Sequence, residues 1–435
     1  MSGHPVFFEQ ALTKALEIVK KSAGLAQEMT LLRDYRGRIR LLLPGKEDDY
    51  SNKKQDITRL IDELSVDLGK YAFPAEQVIL YHENLAVADT ELSDRHVLDQ
   101  IDGMTIYLLD RQITGQDWLK DPFASQNSNP RATLFGVKGG VGRSTALIIW
   151  AWHLAQRGKK VLVFDLDLES PGVSSTLLPQ EALPDFGLVD WFVEDGVGQG
   201  DLITPEMLAV SPLASGSRGD IKIVPAFGSK TGEYLSKLAR CYAQSAEAAP
   251  WGERLERLVT SFERNEQPDL VLLDSRAGVH DIAAVAITRM NAFSLLFAVD
   301  SAQTWRAYSF LFNHWKRHAR LSDLRQRMQI VAAMVPETNR GEHLKRFREH
   351  AWDLFRECLY DEAPAEAADA FTFDLNDEEA PHYPAPIFWH RALQEFEPCA
   401  QDEGIEGKIA AEAMGLFMDR ADRLIFAGVD EDNAK

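Results

Sequence analysis

The sequence predicts an α/β protein, a mostly parallel sheet with helices on both faces, preceded by a smaller N-terminal α/β domain. Three observations lead there. Apolar, β-rich runs alternate with helical patterns from residue 131 onward, a glycine-rich loop sits at one strand-to-helix junction, and two apolar runs end in aspartates. The chain has 435 residues, enough for more than one domain and for a large sheet core.

Taken in order, residues 1–115 read as a separate unit. Phe7 to Lys21 carries apolar positions at helical spacing, Arg38 to Pro44 is strand-like, and Asp56 to Leu68 is an amphipathic helix pattern. Val78–Tyr81 and Met104–Leu109 read as strands. No catalytic constellation stands here. Partner recognition, regulation and a structural appendage all stay open as roles for it. Gly115 to Pro130 runs through Gly, Asp, Pro, Ser and Asn with little periodicity, so 116–130 reads as a linker and 131–430 as the main domain.

The main domain opens on a strand, Ala132 to Val137, and a helix start, Ala146 to Trp150. Between them lie Lys138, Gly139, Gly140, Val141, Gly142, Arg143, Ser144 and Thr145. Three glycines and a Ser-Thr pair at such a junction make a phosphate cradle. Without Cβ atoms the backbone N–H groups can close on phosphate oxygens, and the helix dipole points its positive end at them. Ser144 stands where such a loop places its Mg²⁺-ligating hydroxyl.

Lys159 to Gly172 is a charged turn, an apolar run, then Asp165 and Asp167. Alternation in an extended chain would put both acids on one side of a strand's carboxyl end, where open α/β sheets hold ligands. Asp185 to Ser217 is rich in Gly, Asp and Pro; Ile221 to Gly228 restores a short strand; Trp251 to Arg264 is a charged amphipathic helix. It leads into Gln267–Gly278, whose four apolar residues end in Asp274. Arg276 suits a contact to phosphate, to a mobile loop or to a second subunit, and equally a solvated loop charge. His280 reads as a surface residue. Phe293–Val299 and Gln329–Pro336 are further strands.

Charge and composition exclude several classes. The net charge is −20, from 67 acids against 47 Lys and Arg, so the chain is not basic overall. Residues 314–348 are locally basic, which suits non-specific DNA contact; two helices with solvated basic faces are the favoured reading. Cys241, Cys358 and Cys399 show no metal or disulfide spacing, and no apolar run is long enough for a membrane span. With no signal-peptide pattern at Met1 to Pro5, a cytoplasmic protein is expected. Ile409 to Ile425 is an amphipathic helix with Met414, Leu416, Phe417, Met418, Leu424 and Ile425 on one side; its acidic polar side favours core packing over a lipid surface. Trp150 and Trp152 read as packing residues.

The 138–145 loop resembles the deviant Walker A motif of the MinD/ParA-type P-loop ATPases, in a variant with Arg143 where the family has lysine. The resemblance implies a P-loop NTPase fold, with ATP and Mg²⁺ as cofactors. It assigns the phosphates to Lys138 through Thr145, metal ligation to Ser144, Asp165 and Asp274, and positioning of the attacking water to Asp167. Lys138 would reach a partner subunit's nucleotide across an ATP-dependent homodimer. Arginine keeps the charge but binds phosphate as a planar fork, so ATP-to-ADP turnover is expected to be slow. In many relatives the end of the strand at 329–336 carries an asparagine that reads adenine; here the stretch is Ala332-Ala333-Met334.

Together these readings make the chain an ATP-dependent dimerisation switch acting on an unidentified protein partner. The alternative is a nucleotide-sensing scaffold with little turnover, in a defence or signalling operon. A dinucleotide-dependent oxidoreductase is disfavoured because Gly-x-Gly-x-x-Gly is absent.

Overall fold

The computed structural model describes residues 5–85, 92, 95–101, 103–112, 115–123, 129–242, 249–318, 320–362, 370–399 and 404–426. The chain divides into two compact units, Met1–Gln116 and Asp117–Lys435.

The first unit contains α1 (Phe8–Lys20), β1 (Glu28–Arg33), β2 (Ile39–Leu43), α2 (Lys54–Leu68), β3 (Ile79–Tyr81), β4 (His96–Ile101) and β5 (Met104–Asp110). The strands form one mixed sheet in the order β3-β2-β1-β5-β4. β1 runs antiparallel to β2 and parallel to β5. Ala15, Ile18 and Val19 of α1 and Leu60, Leu64 and Leu68 of α2, at helical spacing, bury against Met29, Leu31, Leu41 and Ile106 of the sheet. β1 and β4 were not anticipated from the sequence. Part of the segment read as a linker, residues 124–128, lies outside the described residues, as do 427–430. Asp117–Phe123 packs into the second unit: Trp118 is 3% exposed, set edge-on to Phe135.

The second unit is built on eight strands: β6 (Arg131–Gly136), β7 (Lys160–Asp165), β8 (Ala209–Val210), β9 (Asp220–Val224), β10 (Leu270–Asp274), β11 (Phe293–Ala298), β12 (Met328–Val335) and β13 (Ala385–Phe388). Their order is β13-β12-β11-β6-β10-β7-β9-β8, and every pairing is parallel except β8 with β9. Its principal helices are α3 (Arg143–Gln156), α4 (Gly172–Leu177), α5 (Trp251–Glu266), α6 (Ala302–Trp315), α7 (Arg340–Cys358) and α8 (Gly407–Phe426).

Alternation sorts the strand side chains onto two faces. Leu134, Val163, Leu272, Leu295 and Val331 meet α3 and α8. On the other face Phe135, Leu296 and Ile330 meet α6 and α7, while Phe164, Val271 and Leu273 meet α5. α3 is buried on nearly all sides: Leu147 through Ala151 are 0–1% exposed. α8 packs on it through Phe417, edge-on to Trp150, whose Nε1 donates to Asp422 at 2.8 Å. Asp422, on the helix's acidic polar side, is thus a packing partner, whereas Leu416, expected on the apolar side, is 57% exposed.

β6, the strand that delivers the glycine-rich loop, is fixed at its first residue. Arg131 donates through Nε and Nη2 to both oxygens of Glu263 at 2.7 and 2.8 Å, and through Nη1 to Glu256 at 2.6 Å. The Arg131 and Glu263 side chains are 4% and 0% exposed. Removing one partner would leave a buried charge poorly compensated, so Glu263→Ala should cost about 3 kcal/mol in urea unfolding. A loss under about 1 kcal/mol would mean that Glu256 alone holds Arg131.

Candidate functional site

The central strand β6 runs straight into the glycine-rich loop, and the loop into α3. Gly140 and Gly142 take φ of +70° and +81°, the left-handed region where side chains are strained. Gly136 is short of space for another reason: a Cβ there would sit 3.1 Å from Arg143 Cδ and 3.3 Å from the Lys138 carbonyl. Gly142 caps α3 without a side-chain hydrogen bond, and the helix's own ladder opens with Ala146 N–H donating to the Gly142 carbonyl at 2.9 Å. The N–H groups of Arg143, Ser144 and Thr145 are therefore left to the end of the helix, with its positive dipole.

Beside this cradle, neighbouring strands bring two carboxylates together. Asp165 ends β7 and Asp274 ends β10, and the two are register partners in a parallel ladder. Both are buried. Ser144 Oγ donates to Asp274 Oδ2 at 2.9 Å. Ser174, early in α4, donates to Asp165 Oδ2 from its backbone N–H at 2.7 Å and its hydroxyl at 2.6 Å. Its hydroxyl in turn accepts from Ala226 N–H at 2.9 Å. The other oxygen of each acid, Oδ1, is buried with no hydrogen-bond partner among the described residues.

Burial pushes the Asp165 carboxyl well above the usual range, and the facing Asp274 adds to the shift. Asp274 is pushed up by burial too, against the pull of the nearby Arg143 guanidinium and the Ser144 hydroxyl. Two orphaned acid oxygens beside a hydroxyl make a hard, anionic oxygen donor set, which fits a divalent cation of the Mg²⁺ kind.

Asp167 is not on the strand as expected. β7 ends at Asp165, and Asp167 lies in the loop beyond, half-buried, accepting from Ser170 N–H at 3.2 Å. Burial raises its carboxyl while Arg143 and Arg276 act against the rise. Arg143 is turned inward: it is 7% exposed, and Nη1 donates to the Ser275 carbonyl just past β10 at 2.6 Å. Lys138 and Gly139 are exposed, Val141 is buried under the loop, and Thr145 is half-buried.

Arg276 pairs with Glu169 at 2.9 Å, tying the loop after β10 to the loop after β7. Two residues that sequence reasoning missed anchor the latter. Tyr234 donates its hydroxyl to the Leu168 carbonyl at 2.6 Å, and Tyr242 to Glu169 Oε1 at 3.2 Å. Ser174 was missed as well; a serine in the first turn after Pro171-Gly172 was its only sign. His280 acts as a helix cap: Nδ1 accepts from Ile282 N–H at the start of the helix Asp281–Ala284. At the end of β12, Met334 takes φ +54° and is 38% exposed, where the β12–β13 pairing shifts register.

The basic stretch 314–348 draws partners from outside itself. Arg346 pairs with Asp300 at 2.8 Å and Arg325 with Asp361 at 2.6 Å.

A glycine-rich loop between the central parallel strand and a helix, with carboxylates at the end of the adjacent strand β10 and of β7 beyond it, defines a P-loop nucleotide-binding domain. The CobQ/CobB/MinD/ParA nucleotide binding domain matches residues 132–366, more than half of the chain, and the protein belongs to that family. No curated protein matches it. Solved structures that are similar include the ParA of pNOB8 bound to nonspecific DNA, at 16% identity and a TM-score of 0.45, covering 70% of this chain and 99% of that one. A ParA family ATPase from Chlorobium tepidum TLS is 15% identical with a TM-score of 0.39, covering 66% and 92%. The MinC:MinD cell division complex of Aquifex aeolicus is matched at 16% identity and a TM-score of 0.40, covering 67% and 95%. No helix among the described residues is long and apolar enough to cross a membrane.

The raised carboxyls set a sign for pH. Between the ordinary aspartate range and its raised value, the folded chain holds a proton that the unfolded chain has released. Without divalent cation, stability should therefore fall as pH rises through that window. Asp165→Asn should flatten the fall, and saturating MgCl₂ should raise the melting temperature of the parent more at high pH than at low. A parent whose melting temperature is flat across the window, with no response to MgCl₂, contradicts the paired-carboxylate geometry.

Proposed function

We propose that the protein is a Mg²⁺-dependent ATP-binding switch with slow hydrolysis, whose nucleotide state governs dimerisation. The observation that supports this best is the meeting of Ser144, Asp274 and Asp165 beneath an uncapped helix end, with two acid oxygens left unsatisfied. In this reading Gly139, Gly140, Val141, Gly142 and Thr145 wrap the phosphates with backbone N–H groups, and Ser144, Asp165 and Asp274 hold the metal. Mg²⁺, when bound, neutralises charge on the phosphate oxygens. Asp167, in the loop beyond β7, orients the attacking water. Arg143 balances charge between the acids and the phosphates. The Arg276–Glu169 pair joins the two loops expected to respond to the γ-phosphate.

Lys138 supports the dimer. It is exposed and makes no ion pair among the described residues, while Arg143 is turned inward onto the Ser275 carbonyl of its own subunit. A flexible ammonium stem suits a partner's phosphates, and two matching faces would close as an isologous pair. The first unit, residues 1–116, is assigned to recognition of a protein partner. DNA is not adopted as the target, because Arg325 and Arg346 are already paired.

One observation favours the second reading, a nucleotide-sensing scaffold. Arg143 is already held by the Ser275 carbonyl, so it has less freedom to follow charge that develops in the transition state.

Two outcomes test the proposal. Asp167→Ala should bind ATP yet lose turnover by about a hundredfold or more. Parent-like turnover would remove its role, and a parent with no turnover at all would favour the scaffold. In sedimentation, ATP should shift the Asp167→Ala chain from monomer to dimer. Lys138→Ala added to it should abolish that shift while leaving nucleotide binding in place. A double variant that dimerises normally would show that Lys138 does not act across subunits.

A further inference from the structure

We propose that the groove between α7 and α8, over the edge strand β13, binds a small organic anion with an oxyanion head and an apolar body. The groove encloses about 350 Å³. That is the size range of small-ligand pockets. Leu344, Lys345 and Arg348 come from α7, Tyr383 precedes β13, and Arg420 and Arg423 come from α8.

Arg420 carries the argument. It is 6% exposed, donating from Nε to Gln329 Oε1 at 3.1 Å and from Nη1 to Glu379 Oε2 at 2.9 Å. Its Nη2 is buried with no partner. Arg348, whose guanidinium lies 5.3 Å from the Tyr383 ring centre, has a buried, unpartnered Nε as well. A charged N–H shut away from water and left unpaired is costly, and a planar guanidinium fork matches the spacing of carboxylate or phosphate oxygens.

The charge balance agrees. Lys345, Arg348, Arg420 and Arg423 face Glu378, which also lines the groove, and Glu379, which pairs with Arg420 at 2.9 Å and Arg423 at 3.6 Å from a position 72% exposed. Four cations against two carboxylates leave room for a further negative charge. Leu344 and the exposed Leu416 give the wall an apolar side.

This site is separate from the nucleotide site. β13 is the sheet's edge strand, three places from β6, and Arg420 is anchored to Gln329 near the start of β12 rather than at the carboxyl ends. Buried donors favour a small anion over the backbone of a duplex, which exposed cations would meet.

Calorimetric titration of the full chain at constant ionic strength tests this, with phenyl phosphate, benzoate and inorganic phosphate as probes. Saturable one-to-one binding is expected, tighter for phenyl phosphate than for inorganic phosphate. Reversing the exposed cations in a Lys345→Glu/Arg423→Glu variant should weaken phenyl phosphate about tenfold or more, the factor that a single charge-assisted contact commands. Arg420→Lys, which keeps the charge and loses the fork, should weaken it too, and Arg143→Ala should leave it unchanged. Absence of saturable binding by all three probes would overturn the proposal. So would binding lost in Arg143→Ala but kept in the reversed variant, which would place the probe in the glycine-rich loop. A chain that binds duplex DNA through Lys345 and Arg423 while ignoring the small anions would overturn it as well.

Discussion

Two aspartates side by side at the buried ends of adjacent strands are the constraint around which this domain is arranged. Asp165 and Asp274 cannot both stay ionised in a dry, low-dielectric pocket without compensation. Much of the nearby sequence supplies it. Ser174 bonds one acid from two donors, Ser144 bonds the other, and Arg143 lies close enough to pull Asp274 down. The compensation is still incomplete, since one oxygen of each acid has no partner. In the proposed function those open oxygens take a cation, and the uncapped start of α3 beside them takes that cation's anionic partner.

The inward turn of Arg143 changes how the loop is understood. A lysine at this position would be a mobile point charge, whereas the guanidinium is buried and spends one donor on the Ser275 carbonyl. It therefore links the start of α3 to the loop after β10, which the Arg276–Glu169 pair links in turn to the loop after β7. Three loops from three adjacent strands are coupled before any ligand is considered. Such a linkage lets one bound group bias all three, at the cost of freedom in the arginine itself.

Much of the second unit was legible because parallel strands buried on both faces read as unbroken apolar runs. β6, β7, β10, β11 and β12 all announce themselves this way, and the glycine loop and the aspartates mark where they end. β13 was missed because its four residues follow Pro384 and include Pro386, and β4 because His96–Ile101 mixes charge with apolar residues on a half-exposed strand. β1, with Glu28 and Arg33 at its ends, was masked in the same way. At the site, residue types were legible and directions were not. Sequence spacing placed Asp167 on the strand with Asp165, but β7 stops one residue after Phe164 and the second acid follows the loop. Tyr234 and Tyr242 reach the site from distant positions along the chain. Nothing local could reveal them, any more than the tie of Arg131 to Glu263, 132 residues away.

In the proposed function phosphate and metal are bound together, each completing the other's site. Calorimetric titration of ATP into the purified chain, once with MgCl₂ and once with the metal chelated, tests it most directly. Saturable one-to-one binding is expected, at least about tenfold tighter with the metal present. Equal affinity with and without Mg²⁺, or no ATP binding in either condition, would contradict it.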